Sequence, residues 1–179
     1  FPSRPAGIFD LIGRGRHLRS RGMAAASHGV LRDGVFLVTG VTTPASLALE
    51  VAREVAREGG RVVCTGLGVT PYHAHLSERA SAFLEESFRG FQTTVRDALG
   101  ADTPTLPMDV TLEESIAETA RTLRERRIRL NGVLHAIAMD RTIRGGEVKP
   151  LLAVTREEFL DTMQISAYSL VALCRALLE

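Results

Sequence analysis

The stretch LVTGVTTPASLALEVA, residues 37–52, predicts a strand that runs into a helix across a short loop. Val35–Thr39 is a short apolar run rich in β-branched residues, which is typical of a buried strand. We expect Thr43 to cap the helix, with Pro44 at its first position, where a missing N–H costs nothing. The loop holds one glycine, Gly40, where a Gly-x-Gly-x-x-Gly nucleotide-binding fingerprint would hold three.

Strands and helices alternate along the rest of the chain. Further strands are predicted at Arg61–Thr65, Thr105–Val110 and Gly132–Ala138, with helices between them and after the last. Pro107 places the third strand at a sheet edge. Capping boxes at 111–114 and 155–158 open two of the helices. This alternation predicts an α/β fold with a doubly wound parallel sheet, in which ligands bind at the carboxyl ends of the strands.

Two of the predicted helices have distinctive apolar faces. In the first, Leu47, Val51 and Val55 repeat every four residues beside small alanines, a face suited to close packing on a sheet. The last helix is apolar on more than one side. Its main stripe is Phe159, Met163, Ala167, Leu170, Val171, Cys174 and Leu178, while Leu160, Ile165 and Leu173 lie off that stripe. Such a helix needs two burying surfaces, which we expect to be the sheet and a second subunit.

Composition is that of an ordinary globular domain. The 179 residues are 45% hydrophobic and 24% charged, enough for one sizeable core and unlike a disordered chain. A net charge of +1 gives no indication of nucleic acid binding, and no apolar run is long enough to span a bilayer. Cys64 and Cys174 are predicted to be buried free thiols, which favours a reducing, cytoplasmic location.

Residues 1–28 differ from the remainder and are predicted to be a disordered or non-native extension. They carry five arginines against a single acid, Asp10. This pattern fits either a transit-type presequence or upstream translated sequence with Met23 as the natural start, and we favour the second because the apolar face is short. Residues 29–179 are assigned to one α/β domain.

The strand ends supply the candidate binding groups. Gly40 ends the first strand, and the following helix points its free N–H groups and positive dipole end toward the same place, a site for pyrophosphate to which Ser46 adds a hydroxyl. A plain capped turn explains this loop equally well. Leu67 follows the second strand, and neither an acid for the ribose hydroxyls nor a nearby arginine for a 2′-phosphate stands there. Asp109 follows the third strand, placed either to accept from an adenine amino group or to cap the helix near Thr111.

Four segments together resemble a known family. They are LVTGVTTPASLALEVA, LPMDVT (106–111), LNGVLHAIAM (130–139) and ISAYSLVALCRALL (165–178). In this order they are similar to NADH-dependent enoyl-acyl carrier protein reductases, a divergent branch of the short-chain dehydrogenase/reductases. The resemblance covers about Leu31 to Glu179, except the segment after Thr70, which is longer than usual. Ala136-Ile137-Ala138 stands where the family typically has Ser-Ile-Gly.

The resemblance implies a Rossmann-like sheet, C-terminally truncated, that binds NADH. It puts Gly40, Ser46 and Leu47 at the pyrophosphate and nearby ribose, Leu67 on the adenosine side, and Asp109 and Val110 beside the adenine. It puts Ala136, Ile137, Ala138 and Ile165, with Ser166, near the nicotinamide end, and Met139 on the substrate side. The implied activity is reduction of the trans-2 double bond of an enoyl thioester, carried by acyl carrier protein or coenzyme A, by a homo-oligomer, usually a tetramer.

The family's catalytic Tyr and Lys lie beyond the next strand, and this chain stops before it. We therefore expect no catalytic residue among these 179 and no activity from this piece alone. Two other readings stay open at this point. One is another short-chain dehydrogenase/reductase acting on a carbonyl, and the other is a non-catalytic NAD(H)-binding module.

Several other polar residues receive structural interpretations. His73-x-His75 has metal-like spacing without further ligands nearby, so a solvated loop is favoured over a metal site. His135 is interpreted as a hydrogen-bonded core histidine, and Tyr168 as a packing residue instead of a catalytic phenol. The arginines at 121, 124, 126, 127 and 129 follow a helix end, where dipole complementarity and solvation explain them.

Overall fold

The computed structural model describes residues 29–140, 142–144 and 147–178. The strands are β1 (Val35–Thr39), β2 (Arg61–Gly66), β3 (Thr105–Pro107), β4 (Gly132–Leu134), β5 (Ile143–Arg144) and β6 (Glu147–Val148). The helices are α1 (Leu47–Arg57), α2 (Glu78–Leu99), α3 (Glu113–Glu125), α4 (Arg156–Met163) and α5 (Ser169–Leu178). A π-helical turn, Gln164–Tyr168, joins α4 to α5. The predicted extension at residues 1–28 lies outside the described residues.

Four parallel strands form the main sheet in the order β3-β2-β1-β4. Strand order therefore reverses between β1 and β4, the place where doubly wound sheets bind their ligands. β3, which carries Pro107, is an edge strand of this described sheet, as predicted. β5 and β6 form a separate antiparallel hairpin that the sequence did not predict.

Alternate side chains of the strands bury two separate cores. Val38, Val62 and Cys64 pack with α1 and α2 on one face. Leu37, Val63 and Leu106 pack with α3 and α5 on the other face. Helices cover both faces, so the predicted Rossmann-like α/β fold is confirmed for the described part of the chain.

The start of α1 differs from the prediction. Thr43 and Pro44 lie in a turn closed by the Ser46 N–H donating to the Thr43 carbonyl at 3.0 Å. Ser46, in extended conformation, is the residue that caps the helix, and Leu47 begins it. The buried face of α1 consequently runs through Ala48, Leu49, Ala52 and Val55, whereas Leu47 is 77% exposed.

Of the two predicted capping boxes, the second is confirmed and the first is wrong. Thr155 and Glu158 exchange both capping hydrogen bonds at the start of α4. At the start of α3 the capping residue is Leu112, whose side chain makes no capping bond. Thr111 instead donates its N–H and its hydroxyl to Asp109 Oδ1, at 2.8 and 2.6 Å. Thr111, the residue predicted to cap α3, is thus hydrogen-bonded to Asp109 and does not cap the helix.

β4 ends at Leu134, four residues earlier than predicted. Beyond Leu134 the backbone hydrogen-bonds to the Thr39 side chain and no longer to the backbone of β1. The Thr39 hydroxyl donates to the Leu134 carbonyl at 3.1 Å and accepts from the Ala136 N–H at 3.2 Å. Thr39 is fully buried, so these bonds fix the exit of the chain from β4 next to the end of β1.

The long C-terminal helix is apolar on two sides, as predicted, and its main stripe faces away from the sheet. Ile165, Ser169, Ala172 and Leu173 are the buried residues. All members of the predicted stripe are exposed: Phe159, Met163, Ala167, Leu170, Val171, Cys174 and Leu178. Leu160 is exposed with them. The prediction that both cysteines are buried is therefore correct for Cys64 and wrong for Cys174, although both are free.

Candidate functional site

Gly40 and Ala136 bring the ends of β1 and β4 into direct backbone contact. Gly40 has φ +83°, and a Cβ atom there would lie 2.1 Å from the Ala136 carbonyl oxygen. Gly40 is therefore required by a close approach of the chain's own backbone. This contact holds the two strands on either side of the reversal together at their carboxyl ends.

Ser46 presents a buried hydroxyl at the start of α1. Its Oγ atom has no hydrogen-bond partner among the described residues. An unpartnered buried hydroxyl costs stability. Ser46 is the capping residue of α1, and the first N–H groups of that helix favour a negatively charged group. The backbone of Leu47, the first helical residue, belongs to the same set of donors. These groups fit the pyrophosphate of a dinucleotide.

Two glycines flank Leu67 at the end of β2. A Cβ at Gly66 would lie 2.4 Å from the Phe91 ring, and one at Gly68 would lie 2.9 Å from the Phe88 ring. Both glycines are buried beneath those rings, while Leu67 is 41% exposed. Leu67 is therefore accessible at this turn, as is Val69, which is 39% exposed.

Asp109 lies at the carboxyl end of β3, beside this turn, because the Met108 N–H donates to the Gly66 carbonyl at 2.9 Å. Its bonds from Thr111 close a turn ahead of α3 and reach none of the helix's own N–H groups, so the helix-capping alternative is not observed. Its other carboxylate oxygen lies 3.1 Å from Nε2 of His73. Val110, the next residue, is half-buried.

His73 does not lie in a solvated loop, so that interpretation is wrong for it. Its side chain is only 9% exposed and sits between Thr70 and Asp109. His75 is exposed, as the interpretation required. No cluster of three or more potential metal ligands occurs anywhere in the described ranges.

The chain after β4 is held against the long helix by two serines. Ser166 Oγ accepts from the Met139 N–H at 3.1 Å and donates to the Met139 carbonyl at 3.2 Å. Ser169 Oγ donates to the Ile165 carbonyl at 2.6 Å, so His135 Nε2, 2.8 Å away, is the donor to that hydroxyl. Burial lowers the pKa of His135, consistent with a neutral, hydrogen-bonded ring. His135 is thus hydrogen-bonded, as interpreted, but it is half-buried and follows the end of β4, so it is not a core residue of a buried strand.

These serines fix the residues predicted at the nicotinamide end. Ala136, Ala138 and Met139 are exposed and Ile137 is half-buried, so a flat ligand has access to this segment. Ile165 is only 6% exposed, and its predicted contact with a cofactor would involve a small part of its side chain.

Two other features of the described residues, the Tyr168 phenol and a large cavity, do not form a second candidate site. The Tyr168 hydroxyl donates to Glu113 Oε1 at 2.8 Å, which ties the long helix to α3. Tyr168 is 42% exposed, so its structural role is a hydrogen bond and not the predicted packing. A large cavity of about 780 Å³ opens at the other end of the sheet, among Arg61, Arg127 and Asn131. It lies at the amino ends of the strands, away from the reversal of strand order.

The sequence analysis did not identify three residues that hold the site's backbone and side chains in place: Thr39, His73 and Ser169. Thr39 and Ser169 are small polar residues in apolar elements, and such a pattern is compatible with many backbone contacts. His73 contacts a residue distant in sequence, so only the fold brings it to Asp109. A buried polar residue directly at a strand end, as at Thr39, is the one available signal.

Comparison with known proteins identifies the family. Residues 40–179 match the family described as enoyl-(acyl carrier protein) reductase. The chain is 30% identical over 147 residues to the NADH enoyl-[acyl-carrier-protein] reductase FabI of Bacillus cereus, covering 82% of this chain and 50% of that protein. It is also 30% identical over 150 residues to the Haemophilus influenzae FabI, covering 83% of this chain and 49% of that protein.

Solved structures agree with this result. The Aquifex aeolicus enoyl-[acyl-carrier-protein] reductase (NADH) superposes with a TM-score of 0.62 at 30% identity, over 83% of this chain and 51% of that one. The Bacillus cereus enzyme, solved with NADP+ and indole naphthyridinone, gives 0.63 at 26% identity, over 82% and 50%. The chain spans about half the length of the relatives it matches. The chain belongs to the enoyl-(acyl carrier protein) reductase family.

Proposed function

We propose that the protein from which this chain comes reduces the trans-2 double bond of an enoyl thioester with NADH, in fatty acid biosynthesis. The substrate would be carried by acyl carrier protein or coenzyme A. The observation that carries the proposal is the buried, unpartnered Ser46 hydroxyl at the start of α1, beside the point where strand order reverses. A ligand acceptor at that position would offset the cost of burying the hydroxyl.

The chain's own residues would bind and orient the dinucleotide along the carboxyl edge of the sheet. Ser46 and the N–H groups of Leu47 and its neighbours would hold the pyrophosphate, with Leu67 and Asp109 on the adenine side. Ala136–Met139 would lie along the nicotinamide ribose, fixed by Thr39 and Ser166. When bound, NADH supplies the hydride for the reduction.

NADH is favoured over NADPH by the end of β2. The first arginine after that strand is Arg79, within α2, so no guanidinium follows closely to pair with a 2′-phosphate. A thermal shift assay with each nucleotide tests this choice. A larger stabilisation by NADPH than by NADH would contradict it.

We further propose that these 179 residues do not catalyse the reaction alone. In the described sheet β4 is paired only with β1, and its other side borders an apolar groove lined by Leu130, Val133 and Leu177, among others. A further strand of the same sheet would fit there, and the family's Tyr and Lys would follow it. NADH oxidation with an enoyl thioester should be absent in this chain and present in a longer form that includes the downstream sequence. Oxidation by the 179-residue chain would contradict this part of the proposal.

The exposed apolar side of the long helix supports assembly into a homo-oligomer. Phe159, Leu160, Met163, Leu170 and Val171 are each more than 40% exposed along one helix. Contiguous apolar surface of this kind marks an interaction site. No helix in the described ranges has the length and apolar character needed to cross a membrane. The two free cysteines favour a cytoplasmic location.

A further inference from the structure

The loop between β2 and α2 is attached to the end of β3 and to α3 by two neighbouring side chains. His73 contacts Asp109, and the Tyr72 hydroxyl donates to Glu118 Oε2 at 3.0 Å. This loop is the part of the chain that departs from the resemblance to the family. It therefore gives this protein a contact at the adenine side that the family pattern does not supply.

The hydrogen bonds determine which nitrogen of His73 carries the proton toward Asp109. The Thr70 N–H donates to Nδ1 at 3.0 Å, so Nδ1 is an acceptor. In the neutral ring the proton is then on Nε2, which donates to Asp109 Oδ2 at 3.1 Å. The side chains of His73 and Asp109 are 9% and 16% exposed, so this bond is largely protected from water.

Asp109 is left with room for one more donor. Its Oδ1 atom already accepts two bonds from Thr111, and Oδ2 accepts one from His73. A carboxylate oxygen accepts about two hydrogen bonds, so Oδ2 retains one position. The bonds from His73 and Thr111 fix the orientation of the carboxylate, and with it the direction of the remaining acceptor position on Oδ2.

We propose that His73 is a positioning residue that aims Asp109 at the amino group of the nucleotide's adenine, and so makes the site selective for a 6-aminopurine. The inference rests on the proposed function. A 6-oxopurine would bring a carbonyl oxygen against the carboxylate, and two acceptors repel. Sites that bind a ligand through a specific hydrogen bond reject analogues that lack it, because a buried polar group is then left unpaired.

The test measures dissociation constants of the 179-residue chain for NADH and for reduced nicotinamide hypoxanthine dinucleotide, by nucleotide fluorescence. Wild type should bind NADH on the order of 10-fold more tightly, as expected for one hydrogen bond. His73→Ala should reduce that ratio to about 3-fold or less, within the same range of single-bond effects. His73→Gln, whose amide reaches as far as Nε2 and donates to Asp109, should restore it.

His75→Asn is the matched control, since it changes the exposed histidine of the same loop and asparagine tolerates its positive φ of 56°. It should keep the wild-type ratio. A wild-type ratio in His73→Ala, or no discrimination in wild type, would overturn the inference while leaving the proposed function intact. Failure of wild type to bind either nucleotide would overturn both.

Discussion

Replacing Gly40 with alanine should destabilise the protein far more than the same change at Gly59. The two glycines have nearly equal φ angles, +83° and +85°. A Cβ at Gly59 would make ordinary contact, 3.4 Å from the Arg32 Cα, whereas one at Gly40 would lie 2.1 Å from the Ala136 carbonyl oxygen. Gly59→Ala therefore isolates the cost of the backbone conformation, and Gly40→Ala adds the cost of the contact between β1 and β4.

The magnitudes follow from these two terms. A left-handed conformation costs an L-residue about 1–2 kcal/mol, which is the whole loss expected for Gly59→Ala. Relief of the overlap at Ala136 requires backbone movement, and overpacking of this kind costs about 1–3 kcal/mol more. We expect Gly40→Ala to lose about 2–5 kcal/mol in total.

Urea unfolding followed by circular dichroism measures both losses, and nucleotide fluorescence measures NADH binding in the same samples. Gly40→Ala should also weaken NADH binding, because Ala136 must move, while Gly59→Ala should not. Equal losses of stability in the two variants would refute the argument that Gly40 is required by its contact with Ala136.

Three further predictions concern the remainder of the chain. The Lys149 ammonium, 2.7 Å from Glu158, is the first cause that lowers the pKa of Glu158 from its ordinary 4.5 to about 2. This pair stabilises the protein above pH 4.5, and the stabilisation is lost as the pH falls toward 2. The difference in melting temperature between wild type and Lys149→Met should therefore shrink between pH 4.5 and 2, and a constant difference would contradict the prediction. Val171→Asp, on the exposed apolar side of the long helix, should convert an oligomer to a folded monomer in sedimentation experiments, and an unchanged mass would argue against that interface. In that monomer a thiol reagent should modify Cys174 alone until denaturant is added, because burial raises the pKa of Cys64 to about 12; equal reaction of both thiols would contradict its burial.

The sheet and its candidate site followed from the sequence because buried parallel strands are continuous apolar runs. Val35–Thr39 was identified from this property, and β2 differs from its prediction by one residue. The strand-end rule then placed Gly40, Ser46 and Asp109 at the carboxyl edge of the sheet. The rule does not predict which residues contact these three. Ala136, for example, contacts Gly40 only because β4 pairs with β1.

The errors have local physical causes. Thr43 and Pro44 have the residue types of a helix start, but the hydrogen bond from Ser46 to Thr43 closes a turn there first. For the last helix the sequence predicted two apolar sides without showing which of them faces the sheet. The main stripe is exposed on both sides of the π-helical turn at residues 164–168, and the buried residues are Ile165, Ala172 and Leu173.

The central claim is that the start of α1 binds the pyrophosphate of NADH, and a comparison of two capping serines tests it most directly. Ser46 makes no capping bond and its buried hydroxyl has no described partner, whereas Ser77, at the start of α2, accepts from the Ala80 N–H at 3.2 Å. Ser77→Ala should cost about 1 kcal/mol of stability without changing NADH affinity. Ser46→Ala should cost no stability, yet weaken NADH binding about 10- to 100-fold, since a hydrogen bond to a charged group contributes about 1.5–3 kcal/mol. Unchanged NADH affinity in Ser46→Ala, or no saturable binding by wild type, would contradict the account.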